Sequence, residues 1–258
     1  MVRSEQHSQQ VWEDFWQKQS IDQVYENSDR VIRQIAAAGD VRGKWIMEIG
    51  AGSGRDSFKL ADMGGRIILL DYAESSLSLL KELSQKLGQQ VFLVRGDAFH
   101  LPFKADTIDV IFHQGLLEHF TDPFGIVKES HDALKPGGIN ISDVPQKYHL
   151  YTLVKHILIW MDKWFAGWET EFSARQLTRL HEKAGFEIAN IYGDWMRPSF
   201  VYRAVREAMK KIGLALPQYP KPIPLLSVCR RAMRRLFIRR KIARYTFMDI
   251  GVVARKRN

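Results

Sequence analysis

The sequence predicts an α/β fold: a doubly wound, mostly parallel seven-stranded sheet with helices on both faces, plus helical insertions that form a cap. Three observations carry this. From residue 44 onward, short apolar runs alternate with stretches of helical periodicity. The helical stretches close on glycine stops. The first apolar run, "KWIMEIG", opens directly into the turn "GAGSG" and then a helix, the kind of junction at which parallel sheets bind ligands.

Each element follows in order. Residues 9–38 read as helical, with Trp12, Phe15, Trp16, Val24, Val31, Ile32 and Ile35 near helical spacing. "KWIMEIG" is the first strand and "RDSFKLADMG" the first crossover helix. "RIILLD" and "AESSLSLLKELSQKLG" repeat the pair, the helix closing on Gly88. "QVFLVRGD" and "TIDVIFHQG" are the third and fourth strands. "DPFGIVKESHDALKPGG" reads as a helix stopped by Pro-Gly-Gly, and "INISDVP" as the fifth strand. Right-handed crossovers leave a doubly wound sheet.

After residue 145 the rhythm breaks. "QKYHLYTLVKHILIWMDKWFAGWE" is aromatic with irregular polar interruptions. "SARQLTRLHEKAGF" is a helix with Ser173 as N-cap, "EIANIYG" a sixth strand and "RYTFMDIGVVARK" a closing one. The chain thus divides into N-terminal helices at 1–40, a ligand-binding core at 41–145, and a remainder at 146–258. That remainder holds a cap segment, the last helix and strands, and a basic insertion at about 194–243.

Composition excludes several classes. Cys229 is the one cysteine, so no intrachain disulfide forms, which fits a reducing compartment. The opening residues hold no apolar run of signal-peptide length. "LYTLVKHILIWM" is interrupted by Lys155 and His156 and is too short to span a bilayer. The expected location is cytoplasmic. No ligand-spaced His/Cys cluster points to a metal. From Arg197 to Arg257 there are 17 Lys/Arg and two acids, a local balance of +15 in a chain of net +9.

The turn Gly50-Ala51-Gly52-Ser53-Gly54 lacks the spacing of a dinucleotide fingerprint and the Gly-Lys-Ser/Thr of a phosphate loop. Glu48 stands two residues before it. The pattern argues for a ligand bearing a positive group.

"EIGAGSG" followed by "LLDYAESSL", "GDAFHLPF" and "LKPGG" resembles the class I S-adenosylmethionine-dependent methyltransferases. Within them it is similar to the small-molecule, ubiquinone/menaquinone-biosynthesis-like group of type 11. The resemblance covers roughly residues 40–145. It implies a Rossmann-like fold and S-adenosylmethionine as cofactor, leaving S-adenosylhomocysteine as product. It also implies cofactor contacts from Glu48 (ammonium), Gly50, Ala51, Gly52 and Gly54. Further contacts implied are Arg55 (carboxylate end), Asp71 (ribose), Tyr72, Asp97 and Ala98 (adenine), and His113 and Gln114 (methionine portion).

Structural roles stand beside these. Asp71 is also placed to cap the next helix, Asp97 to hold a turn, and Arg55 to face solvent. A methyl donor that arrives activated needs alignment and exclusion of water. A base is needed only for a weak nucleophile. His119 and His113 are the candidate bases, and "LEHF" is equally suited to opening a helix. Aromatic residues at 12–25 (Trp12, Phe15, Trp16, Tyr25) and 146–170 (Tyr148, Tyr151, Trp160, Trp164, Phe165, Trp168) suit a small acceptor that is apolar or ring-bearing. A non-catalytic cofactor-binding scaffold is the alternative.

"SVCRRAMRRLFIRRKIARY" is expected to form a basic helix with Met233, Leu236, Phe237, Ile238 and Ile242 as its apolar stripe. Such a helix fits peripheral contact with an anionic membrane, or an edge of the cap packed on the sheet. A nucleic-acid-directed methyltransferase is the weaker alternative, because no base-reading motif accompanies the charge.

Overall fold

Strand β1 (Trp45–Ile49) is buried along nearly its whole length and lies at the centre of the sheet. A computed structural model describes residues 10–17, 29–161, 169–195, 198–221, 228–229, 232, 236–237 and 245–258. Beside β1 run β2 (Arg66–Asp71), β3 (Val91–Arg95), β4 (Ile108–Gln114) and β5 (Leu134–Pro145), all parallel. β6 (Phe186–Asp194) and β7 (Asp249–Lys256) complete a seven-stranded sheet in the order β3-β2-β1-β4-β5-β7-β6. β7 is antiparallel to both neighbours. The chain winds outward from β1 to β3 and then returns to β4 on the other side of β1. The crevice at the carboxyl ends of β1 and β4 is therefore the switch point where such sheets take ligands.

The helices are α1 (10–17), α2 (Arg30–Ala38), α3 (Arg55–Asp62), α4 (Glu74–Leu87), α5 (Phe124–Ala133), α6 (Leu150–Trp160), α7 (Ala174–Lys183) and α8 (Phe200–Lys211). Helix α4 ends at Gly88 in the left-handed conformation that glycine tolerates. Helix α7 begins with a reciprocal capping box between Ser173 and Gln176. Two apolar cores sandwich the sheet, one around Ile111, Leu134 and Val252, the other around Ile46, Leu69 and Phe112.

Three expectations need correction. The Pro-Gly-Gly stop is not a helix end: α5 stops at Ala133, and the strand begins at Leu134. Gly137, at φ 75°, lets β5 slip register against β4 between Ile108 and Val110. The predicted N-terminal helix is not continuous, since Asp29 is left-handed immediately before α2. The helical insertions expected after the core include α6 and α8, whose bounds the sequence had not marked. The closing strand begins only at Asp249. Tyr25, Trp164, Phe165 and Trp168, and Arg230, Arg231, Met233, Arg234, Arg235, Ile238 and Ile242 of the basic stretch, lie outside the described residues.

Helix α2 is fixed across the carboxyl end of β5 and the amino end of β7. The Arg30 guanidinium donates to both oxygens of buried Asp143 at 2.6–2.9 Å and pairs with Asp249 at 3.3 Å.

His113 is wholly buried and does not face the ligand crevice. Period-two alternation sends Gln114 one way and His113 the other. Its Nε2 meets Ser142 Oγ at 2.8 Å, and Ser142 meets His181 Nε2 at 2.7 Å. His181 Nδ1 donates to the Leu177 carbonyl, 2.8 Å away. Burial lowers His113 to about 3 and His181 to about 4. Both are neutral in the folded chain, so below the ordinary histidine value the unfolded chain binds more protons. Their stabilisation is complete above about pH 6.5 and is lost as pH falls toward 4 and 3. Burial lifts Glu118 and Asp249, which act in the opposite sense, so the histidine contribution is read by difference. Between pH 6 and 4, wild type should lose about 1 kcal/mol per pH unit relative to His181→Gln in urea melts. Parallel pH curves would contradict this.

Candidate active site

A cavity of about 730 Å³ opens over the carboxyl ends of β1, β2 and β4. Its floor is the glycine turn. Gly50, Gly52 and Gly54 have φ of 65°, 51° and 61°, conformations that residues with a Cβ adopt only under strain. A Cβ on Gly52 would lie 2.5 Å from the Trp16 indole, and one on Gly54 would lie 2.5 Å from Leu80. The first glycines leave room for what lies above the turn. The last lets α3 pack on α4.

The turn is stapled to the next helix by Asp71. Gly52 N–H donates to Asp71 Oδ2 at 2.8 Å, Ala73 N–H to Oδ1 at 3.0 Å, and Ser76 Oγ–H to Oδ2 at 2.8 Å. Burial lifts the Asp71 carboxyl above the usual carboxylate range, against the pull of these donors. The carboxylate still borders the cavity.

Glu48 stands behind the cavity wall rather than in it. Ser57 Oγ–H donates to Glu48 Oε2 at 2.6 Å. Burial, with help from the charges of Asp56 and Asp71, pushes its carboxyl well above the ordinary value, while Ser57 and Gln114 oppose the shift. Gln114 does border the cavity, and its Nε2 donates to Asp56 Oδ2 at 2.9 Å. The Gln114 Oε1 is buried and has no hydrogen-bond partner. A buried, unsatisfied acceptor is costly, and three carboxyl groups gather around it. This end of the cavity suits a cationic N–H donor.

At the other end Asp97 takes the Phe99 N–H at 2.9 Å and meets His100 Nδ1 at 3.1 Å, so it holds its own turn while bordering the cavity. Tyr72 and Ala98 border it as well. Ala51, Gly54, Arg55 and His113 do not. A base at His113 would have no access to a ligand.

His119 closes the 3-10 turn Leu117–His119 and faces the cavity. Its ring lies edge-on to Trp12, with centroids 4.9 Å apart. Burial lowers its pKa, while Glu169 and a bond to the Gly115 backbone oppose the shift. Its neighbour Glu118 turns inward and is buried.

Helix α1 spans the cavity mouth. Trp16 covers Gly52 and Trp12 reaches His119. Glu13 caps α4 by accepting from Ser75 N–H at 3.0 Å. The bridging role of Glu13 and the staple at Ser76 were not foreseen. Ser76 lies in the first turn of α4, five residues past the end of β2. Phe99 and Phe120, in edge contact at 5.1 Å, add an apolar wall. Among the described residues, no group of three or more His, Cys, Asp or Glu is placed to hold a metal.

Comparison with known proteins agrees with this layout. A family described as "Methyltransferase domain" matches residues 47–142. The chain is 27% identical over 172 residues to a ubiquinone biosynthesis O-methyltransferase of Dinoroseobacter shibae, covering 62% of this chain and 69% of that one. It is 28% identical over 172 residues to a demethylmenaquinone methyltransferase of Lactococcus lactis, covering 57% and 68%. Among solved structures it is similar to a putative sarcosine dimethylglycine methyltransferase of Galdieria sulphuraria. That likeness has a TM-score of 0.63 at 16% identity and covers 97% of this chain and 98% of the other. It is also similar to a magnesium protoporphyrin IX methyltransferase of Synechocystis with bound S-adenosylhomocysteine. There the TM-score is 0.58 at 14% identity, covering 89% and 81%. At these identities the structural likeness speaks to the fold.

Proposed function

We propose that this chain, whose residues 47–142 match a methyltransferase domain, is an S-adenosylmethionine-dependent methyltransferase that methylates an apolar, ring-bearing small molecule through a hydroxyl group. The single observation that carries the reading is the cavity itself. It has a carboxylate-rich polar end at an unsatisfied Gln114 oxygen and an aromatic end at Trp12, Phe99 and Phe120. When bound, S-adenosylmethionine supplies a methyl group activated on a positively charged sulfur.

The chain's residues would do the rest. Gln114 Oε1 accepts an ammonium N–H, and the carboxyls of Glu48 and Asp56 stand behind it. Asp71, with three of its about four acceptor sites taken by the turn, the helix and Ser76, keeps room for one ribose hydroxyl. Asp97 and the Ala98 N–H face the adenine end. Trp12 and Trp16 on α1 exclude water, which favours alignment of the reacting groups. His119 is held neutral by burial, and its contact with Gly115 fixes the ring. It is positioned to take the hydroxyl proton. The names of the two quinone-pathway relatives support an acceptor of this class.

The test is turnover. Purified protein, S-adenosylmethionine and a panel of apolar phenols, catechols and amines are assayed for S-adenosylhomocysteine release. Release with ring hydroxyls and not with the amines is expected. His119→Gln should lower kcat about 10²-fold with cofactor affinity unchanged. Equal turnover by His119→Gln would remove the base. Binding without release on any acceptor would favour the scaffold reading.

A further inference from the structure

Helix α6 is built inside out. On one face Thr152 and Lys155 are buried. Thr152 Oγ1–H donates to the Gln146 carbonyl at 2.5 Å. The Lys155 ammonium donates to Glu169 at 2.8 Å and lies 3.1 Å from Glu171, with its side chain wholly hidden. On the opposite face Leu150, Leu153, Ile157 and Trp160 recur at helical spacing and are 63, 60, 49 and 86% exposed. A helix bounded by water turns its lysine out and its leucines in. Here the apolar stripe faces outward, and contiguous exposed apolar surface of this kind marks a docking site.

The charge nearby says what docks. The stripe begins beside Tyr148, whose ring lies 6.0 Å from that of Tyr245. Tyr245 follows a stretch, residues 222–244, that contains seven arginines and one lysine and no acid. Exposed Lys210 and Lys211 end α8. That helix shows exposed Val201, Val205 and Ile212 as well. Its Arg203 lies near enough to Tyr151 of α6 for the positive charge to favour the ionised phenol. A protein partner or a second copy of this chain would have to bring many acids to this region. An anionic lipid surface supplies both the negative charge and an apolar layer for Leu153, Ile157 and Trp160, and tryptophan favours that boundary. Among the described residues no helix is long and apolar enough to cross a membrane.

We propose that the outward face of α6 inserts into the surface of an anionic bilayer, drawn there by the basic charge of α8 and of the sequence that leads into Tyr245. This does not rest on the reading of the reaction, because it is measured without turnover.

The experiment is sedimentation of the full chain with vesicles of phosphatidylcholine alone or mixed with phosphatidylglycerol, at low and high salt. Binding to the mixed vesicles, weakened by salt, is expected. The triple variant Leu153→Ser, Ile157→Ser, Trp160→Ser should bind at least roughly tenfold more weakly and melt like wild type. Trp160→Ser alone, at the most exposed position, should lose about threefold and keeps the test open if the triple variant does not fold. Wild type that stays in the supernatant would overturn the proposal. So would variants that sediment like wild type, or a dimer in light scattering that the triple variant dissociates without any vesicle binding.

Discussion

Asp71→Ala is expected to weaken binding of S-adenosylhomocysteine by about 10³-fold and to lower the melting temperature by several degrees. Two causes add. The carboxylate accepts from Gly52, Ala73 and Ser76, and its removal leaves buried donors without partners at about 1–3 kcal/mol each. The glycine turn is then no longer tied to α4. A ribose hydroxyl would also lose a charged acceptor, at about 1.5–3 kcal/mol. Calorimetry and a thermal melt separate the two. A lower melting temperature with unchanged affinity would make Asp71 a staple and nothing more. Unchanged values for both would remove it from the site altogether.

Lys155→Ala is expected to cost about 3–5 kcal/mol of stability, more than any surface change, because it leaves Glu169 and Glu171 facing a buried gap. Burial works against the Lys155 charge, and the two glutamates more than restore it, so the ammonium is held above its ordinary pKa. The loss should be local. Hydrogen exchange should show α6 and residues 169–171 opening before β1, β4 and β5. Lys155→Met combined with Glu169→Gln and Glu171→Gln should recover part of the stability, since an apolar replacement no longer strands a charge. If Lys155→Ala melts like wild type, the pair is not what holds the helix inside out.

These two residues mark how far the sequence could be read. Strands β1, β2 and β4 were legible because they are buried along most of their length and read as largely apolar runs that end at a glycine or an acid. The glycine turn and Asp71 were legible by order and spacing. What Asp71 bonds to was not, because Ser76 reaches it only once α4 has packed.

Glu48 looked like a cavity residue from its place at the strand end, yet it faces α3 and Ser57 beneath the turn. Gln114 takes the cavity position instead. The parity of β4 separates Gln114 from His113, and that period-two signal was present in "FHQG". Helix α6 escaped notice because its pattern is inverted: Lys155 in the middle of an apolar run reads as an interruption when it is in fact the buried anchor. The start of β5 was misplaced because Pro-Gly-Gly is a strong stop signal, and here a register slip absorbs it.

Titration of S-adenosylmethionine into the folded chain, followed by calorimetry, tests the central claim most directly. The cavity over Gly50, Asp71, Asp97 and Gln114 should give single-site heat with a dissociation constant below about 1 mM, and Gly52→Val should abolish it by driving a side chain into the space beneath Trp16. No heat at about millimolar cofactor, from a sample that melts cooperatively, would contradict the assignment.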